Sequence, residues 1–271
     1  MPASKLRSHP ITRNTPNAVS GPILGLVSLV LIGGGLLLTL LILIGGAVNK
    51  NPTNQFYFLQ AATTGIPGAA ATTRWTFWNA CSVTNGRNSC PTVHPAYPFD
   101  PARNFGTTTG VPTQFIGTHR YYYLTRFMFA FVLIGGFFGA CSLFLGLLAL
   151  CSRIGSFLSS AMCSVALFFQ TLTAALMTAA FVKGRNNFKS NGMDASLGKD
   201  AFGFMWAAVA CYFIAMVLLC AGGAASGSSS GGKRGGGKMF FGRKQKTTRD
   251  RGSFIDKETA VDGERSSFTR A

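Results

Sequence analysis

The chain has 271 residues, 48% of them hydrophobic and only 12% charged, about half the charge of an ordinary soluble domain. Its formal net charge is +17, with eight acids and three His in the whole sequence, which leaves little material for acid–base catalysis, a metal site or any other cofactor. No helix-turn-helix, zinc or RNP-type pattern accompanies the basic residues, so the expected partners are the lipid bilayer and anionic inner-leaflet lipids, not nucleic acid.

Residues 1–22 are polar, with Lys5, Arg7 and Arg13 and no acid. Residues 23–48 form the first predicted span, uncharged over 26 residues. A hydrocarbon core of about 30 Å needs roughly 20 such residues. A cleaved signal peptide has an apolar region of only about 7–15 residues, so a retained anchor is expected. Residues 49–126 form a long loop with seven prolines and many aromatic residues. Disordered segments are aromatic-poor, and short alternating runs predict a small β-sheet around residues 74–83. Residues 127–150 are the second span, 151–153 a tight turn, 154–182 the third span, 183–201 a polar loop and 202–222 the fourth span. Residues 223–271 read as a largely disordered basic tail that opens with a Gly/Ser linker.

Four spans put both termini on one side. With that side cytosolic, 15 of the 25 Lys and Arg lie in cytosolic segments, the direction that positive charge favours next to spans. The expected arrangement is multi-pass, with the long loop on the side away from the cytosol.

Of seven cysteines, Cys81 and Cys90 share the long loop. On an oxidising side they can pair; otherwise they are two free thiols. Cys141, Cys163 and Cys211 fall inside spans as small packing residues. Cys151 and Cys220 lie at the cytosolic ends and are candidates for palmitoylation, with unmodified thiols the competing reading.

Small residues recur four apart in every span, as in Gly135 and Gly139, Thr171, Ala175 and Ala179, or Ala207, Cys211 and Ala215. Such stripes let helices approach closely. They serve either the monomer's own packing or lateral assembly, as a homo-oligomer or with other membrane proteins. No ionisable residue lies mid-span and Gln170 is the only amide there, which excludes the usual machinery of a transporter or pump.

Several motifs look chemical and are not. Gly227 to Gly231 matches a serine-hydrolase elbow, and Gly227 to Lys233 nearly spells a phosphate loop. Both fall in the Gly/Ser linker without the required strand and helix. His94, Asp100 and His119 are scattered loop residues.

The tail holds Lys233, Arg234, Lys238, Arg243, Lys244 and Lys246 around Phe240 and Phe241. A basic cluster just cytosolic of a span attracts anionic lipid, and the two rings can insert shallowly. Ser253, Ser266 and Ser267 follow arginines and are candidate phosphorylation sites, where added negative charge weakens lipid contact.

Trp75, Trp78 and Cys81, followed by Cys90 and by Arg126 before the second span, resemble the signature of the claudin-like superfamily. The Pro-rich stretch from Pro95 to Phe99 is similar to its fungal branch, the eisosome-associated tetraspan (Sur-seven/PalI) family. The resemblance implies a Cys81–Cys90 disulfide. It implies an all-α membrane protein, a four-transmembrane-helix bundle with a small disulfide-pinned β-sheet in its first extracellular loop. It further implies a non-enzymatic role in static plasma-membrane domains, cell-wall integrity, endocytosis and stress tolerance; the basic tail is expected to meet inner-leaflet lipid or a cytosolic scaffold. The PalI side of the family implies instead an accessory subunit of an ambient-pH or stress-sensing complex.

Overall fold

A run too apolar for water closes its backbone hydrogen bonds on itself as a helix. The computed structural model describes residues 20–90, 92–149 and 153–225. Its helices are α1 (Ser20–Ile44), the short α2 (Pro101–Phe105), α3 (Arg120–Ala149), α4 (Arg153–Ser190) and α5 (Lys199–Ala225). All except α2 are long and apolar enough to cross a bilayer.

Three boundaries differ from the sequence reading by four residues or more. Helix α1 stops at Ile44, where two glycines follow and a bridge joins Gly45 to Val48. Helix α3 begins at Arg120, so residues 120–126 are helix and not loop. Helix α4 runs on past Val182 to Ser190. No proline interrupts that run, and its apolar side keeps finding cover, because Phe181 and Phe188, seven residues apart, are both buried. The helix ends where Gly192 takes a positive φ of 75°. There the Met193 N–H donates to the Phe188 carbonyl at 3.1 Å, a glycine-closed C-terminus.

Helix α3 packs chiefly on α4, and α1 on α5. Two of the small-residue stripes are used inside the bundle. A Cβ at Gly135 would stand 3.3 Å from Gln170 Oε1, and one at Gly139 only 2.5 Å from the Tyr212 hydroxyl. A Cβ at Gly35 would stand 3.3 Å from Cys211 Cβ. The third stripe is different: Thr171, Ala175 and Ala179 are exposed on the outside of α4.

Several polar groups inside the bundle bond their neighbours, while Gln170 Oε1 and the Tyr212 hydroxyl are buried without a partner among the described residues. Ser142 Oγ donates to the Ser159 carbonyl at 3.0 Å, and Ser159 Oγ returns a bond to the Ser142 carbonyl at 2.8 Å. Gln170 Nε2 donates to Thr39 Oγ1 at 3.1 Å and also lies 3.1 Å from Met205 Sδ. Such bonds between membrane helices average about 0.6 kcal/mol each.

The loops supply one five-stranded antiparallel sheet: β1 (Leu59–Ala62), β2 (Thr72–Trp75), β3 (Ala80–Thr84), β4 (Arg87–Ser89) and β5 (Ala195–Leu197), in the order β4-β3-β2-β1-β5. The β3–β4 hairpin turns on Asn85 and Gly86, both at positive φ (53° and 74°), the pair that suits a tight two-residue turn. Strand β5 comes from the segment between α4 and α5. It pairs with β1 through Leu59 and Leu197, so the second loop completes the sheet of the first.

Candidate functional site

The sheet is seated on the helices by a cluster of rings. Trp75, at the end of β2, is 1% exposed. Its ring meets Phe99 edge-on with centroids 5.2 Å apart, and lies 5.7 Å from Phe188 at the far end of α4. Its indole N–H donates to Asn104 Oδ1 at 3.0 Å, which satisfies the one polar atom of the side chain. Phe58 stacks on Phe181 at 5.0 Å and meets Phe77 edge-on at 4.7 Å. Each such pair adds about 0.5–1.5 kcal/mol beyond the area it buries.

Trp78 has another task. Its indole N–H donates to the Leu43 carbonyl, one of the last carbonyls of α1, which the helix itself cannot satisfy. The two tryptophans of the motif therefore divide the work, Trp75 filling the core and Trp78 capping a span.

Cys81 and Cys90 are disulfide-bonded, with Cα atoms 4.5 Å apart. The bond joins β3 to the residue after β4. Asn49, just beyond α1, grips Cys90 from both sides: its Nδ2 donates to the Cys90 carbonyl at 2.8 Å, and its Oδ1 accepts from the Cys90 N–H at 3.2 Å. Closing a loop with a sequence separation of nine stabilises by about 2–3 kcal/mol. Cys81→Ser is expected to lose about that much, seen as a fall in the thermal midpoint of the purified protein. An unchanged midpoint would show that Asn49 and the sheet ladder hold the hairpin without the bond.

Arg74 lies opposite Cys81 in the ladder and is 9% exposed. Its Nε donates to Gln60 Oε1 at 2.8 Å, and its Nη1 to the Gly86 carbonyl at 2.9 Å and to Asn88 Oδ1 at 3.1 Å. The Tyr57 ring covers the guanidinium, with Cζ 4.2 Å from its centroid. Burial pulls the Arg74 pKa below its ordinary value, yet three neutral acceptors and a ring face hold the charge without a carboxylate. Sequence reasoning missed Arg74, because nothing in one strand shows that its neighbours will turn three acceptors toward it. It also missed Asn49 and Phe188, whose partners lie far along the chain.

Arg126 is on α3 and not in a loop before it. Its guanidinium lies over the Tyr122 ring at 4.6 Å. Cys220, at the end of α5, is exposed, with Sγ 3.3 Å from Ser160 Oγ. Cys151, the basic tail residues at 233–246 with Phe240 and Phe241, and Ser253, Ser266 and Ser267 lie outside the described residues.

Four membrane-length helices carrying one disulfide-pinned extramembrane sheet define a tetraspan membrane protein. The chain belongs to the SUR7/PalI family, whose model matches residues 24–218. It is 40% identical over 199 residues to Protein SUR7 of Saccharomyces cerevisiae, covering 72% of this chain and 66% of that one. It is 37% identical over 193 residues to Protein SUR7 of Candida albicans, covering 70% and 71%. A further relative, 34% identical over 188 residues and covering 68% and 62%, is a protein of Saccharomyces cerevisiae described as the uncharacterized plasma membrane protein YNL194C. The chain thus spans about two thirds of the length of these relatives.

Proposed function

We propose that this chain is a non-enzymatic organiser of plasma-membrane domains. It stabilises static, eisosome-type patches and through them supports cell-wall integrity, endocytosis and stress tolerance. The observation that carries this reading is how the bundle uses its polar atoms. Ser142 and Ser159 satisfy each other, and Gln170 is bonded to Thr39. A transport route needs a lining of polar groups free to meet a cargo; the two serines and the Gln170 amide nitrogen instead fasten helices together. The exposed stripe of Thr171, Ala175 and Ala179 suits lateral assembly, where small residues allow close approach. Family membership and a relative described as a plasma membrane protein support the location. In this reading the sheet faces outward, both termini are cytosolic, and the basic tail meets anionic lipid or a scaffold protein.

Live imaging of the tagged full-length chain tests the proposal. Immobile cortical patches that do not recover within minutes of photobleaching are expected. Uniform, freely diffusing fluorescence would overturn it. Diffuse signal that recruits signalling proteins after an alkaline shift would favour the accessory-subunit role instead.

A further inference from the structure

Tyr122, in the first turn of α3, carries two guanidinium groups on one ring. The Cζ atoms of Arg103 and Arg126 each lie 4.6 Å from its centroid, so the two charges stand no farther apart than twice that distance. The ring attracts each cation, which offsets part of their mutual repulsion. One carboxylate attends them. Asp100 Oδ2 lies 3.4 Å from Arg103 Nε, and Asp100 Oδ1 accepts from the Arg103 backbone N–H. Among the described residues Arg126 has no carboxylate or hydrogen-bond partner; the ring is its contact. The cluster keeps one uncompensated positive charge and a set of unused N–H donors.

Its position says what meets them. Arg126 is exposed and stands about 9 Å along the axis from the first residue of α3, at 1.5 Å per residue. Beside it Tyr123 is 56% exposed and Phe127 55%, the aromatic residues expected where a span leaves hydrocarbon for headgroups. An exposed arginine near the end of a span, with no protein counter-ion among the described residues, is free to pair with an anion at the headgroup level. The planar guanidinium suits phosphate oxygens better than any other group at that level. The surplus of one charge fits a singly charged phosphodiester.

We propose that Arg103, Arg126 and Tyr122 form a binding site for the phosphate of an anionic lipid headgroup, in the leaflet next to the sheet. Asp100 positions Arg103; Arg126 meets the lipid from the span itself. The site is independent of the role proposed above and requires only that α3 crosses the bilayer.

The test uses the full-length protein in detergent, with phosphatidylglycerol or phosphatidylcholine added and retained lipid counted by native mass spectrometry. The basic tail is present throughout, so its contribution cancels between variants. Wild type is expected to hold phosphatidylglycerol at its tightest site about tenfold more strongly than R103Q/R126Q, the loss of two charge-assisted contacts, and to prefer it to phosphatidylcholine. Arg126→Gln alone is expected to fall between them. Because its side chain is exposed and makes no hydrogen bond or ion pair among the described residues, this variant keeps the comparison decisive should the double variant fold poorly. Arg185→Gln, on the extension of α4 with its side chain bonded to Asn186, is expected to match wild type. Equal retention by wild type and Arg126→Gln would overturn the proposal. So would displacement of the lipid by millimolar inorganic phosphate, which would reassign the cluster to a soluble anion.

Discussion

Trp75→Ala is expected to lower the stability of the purified protein by about 3–5 kcal/mol, the range for deleting a large buried ring. Trp75 touches Phe99, Phe105 and Phe188, so its removal opens a cavity between the sheet, α2 and α4. For a chain of this size the thermal midpoint should fall by roughly 6–20 °C. Trp75→Phe separates the two contributions. It keeps most of the apolar contact but leaves Asn104 Oδ1 without the indole donor, for about 1–2 kcal/mol. A midpoint within 2 °C of wild type for Trp75→Ala would mean that the sheet does not depend on this cluster for its seat.

Gly198→Val should be as damaging for a different reason. Gly198 links β5 to α5, and its N–H donates to the Phe58 carbonyl at 3.1 Å. A Cβ there would run into the backbone carbonyl of Tyr57. A flexible side chain could yield; a carbonyl at the edge of a sheet cannot without breaking the ladder. Strand β5 is expected to detach, and hydrogen exchange should show it as lost protection along the Leu59–Ala62 edge. Gly203→Ala, five residues on in α5, is the control. A Cβ there meets nothing within 4 Å, and the helix should gain up to about 1 kcal/mol of propensity. Equal protection of β1 in the two variants would show that β5 contributes nothing to the sheet.

The four spans were legible because length and apolarity suffice to mark them, and the pairing of Cys81 with Cys90 followed once Trp75 and Trp78 joined the pattern. The extension of α4 was hidden by Lys183, Arg185 and Lys189, which read as loop because their charges mask the buried Phe181 and Phe188 on the same helix. Strand β5 was hidden by its brevity. Three residues between Asp194 and Gly198 carry no alternation to detect, and only the waiting edge of β1 makes them a strand. The stripes of small residues were visible, but a sequence cannot say which way a stripe faces. Gly135 and Gly139 turn inward because Gln170 and Tyr212 fill the space opposite them, while Thr171, Ala175 and Ala179 turn out.

Because β1 to β4 lie between α1 and α3 in the chain, and β5 between α4 and α5, the ladder is a brace that clasps every helix at one rim. Toward the opposite rim the described helices meet through side chains, such as Ser142 with Ser159 and Leu29 against Gly146. Lateral squeeze from the surrounding lipid is thus borne by backbone pairing at one end and by side-chain packing at the other.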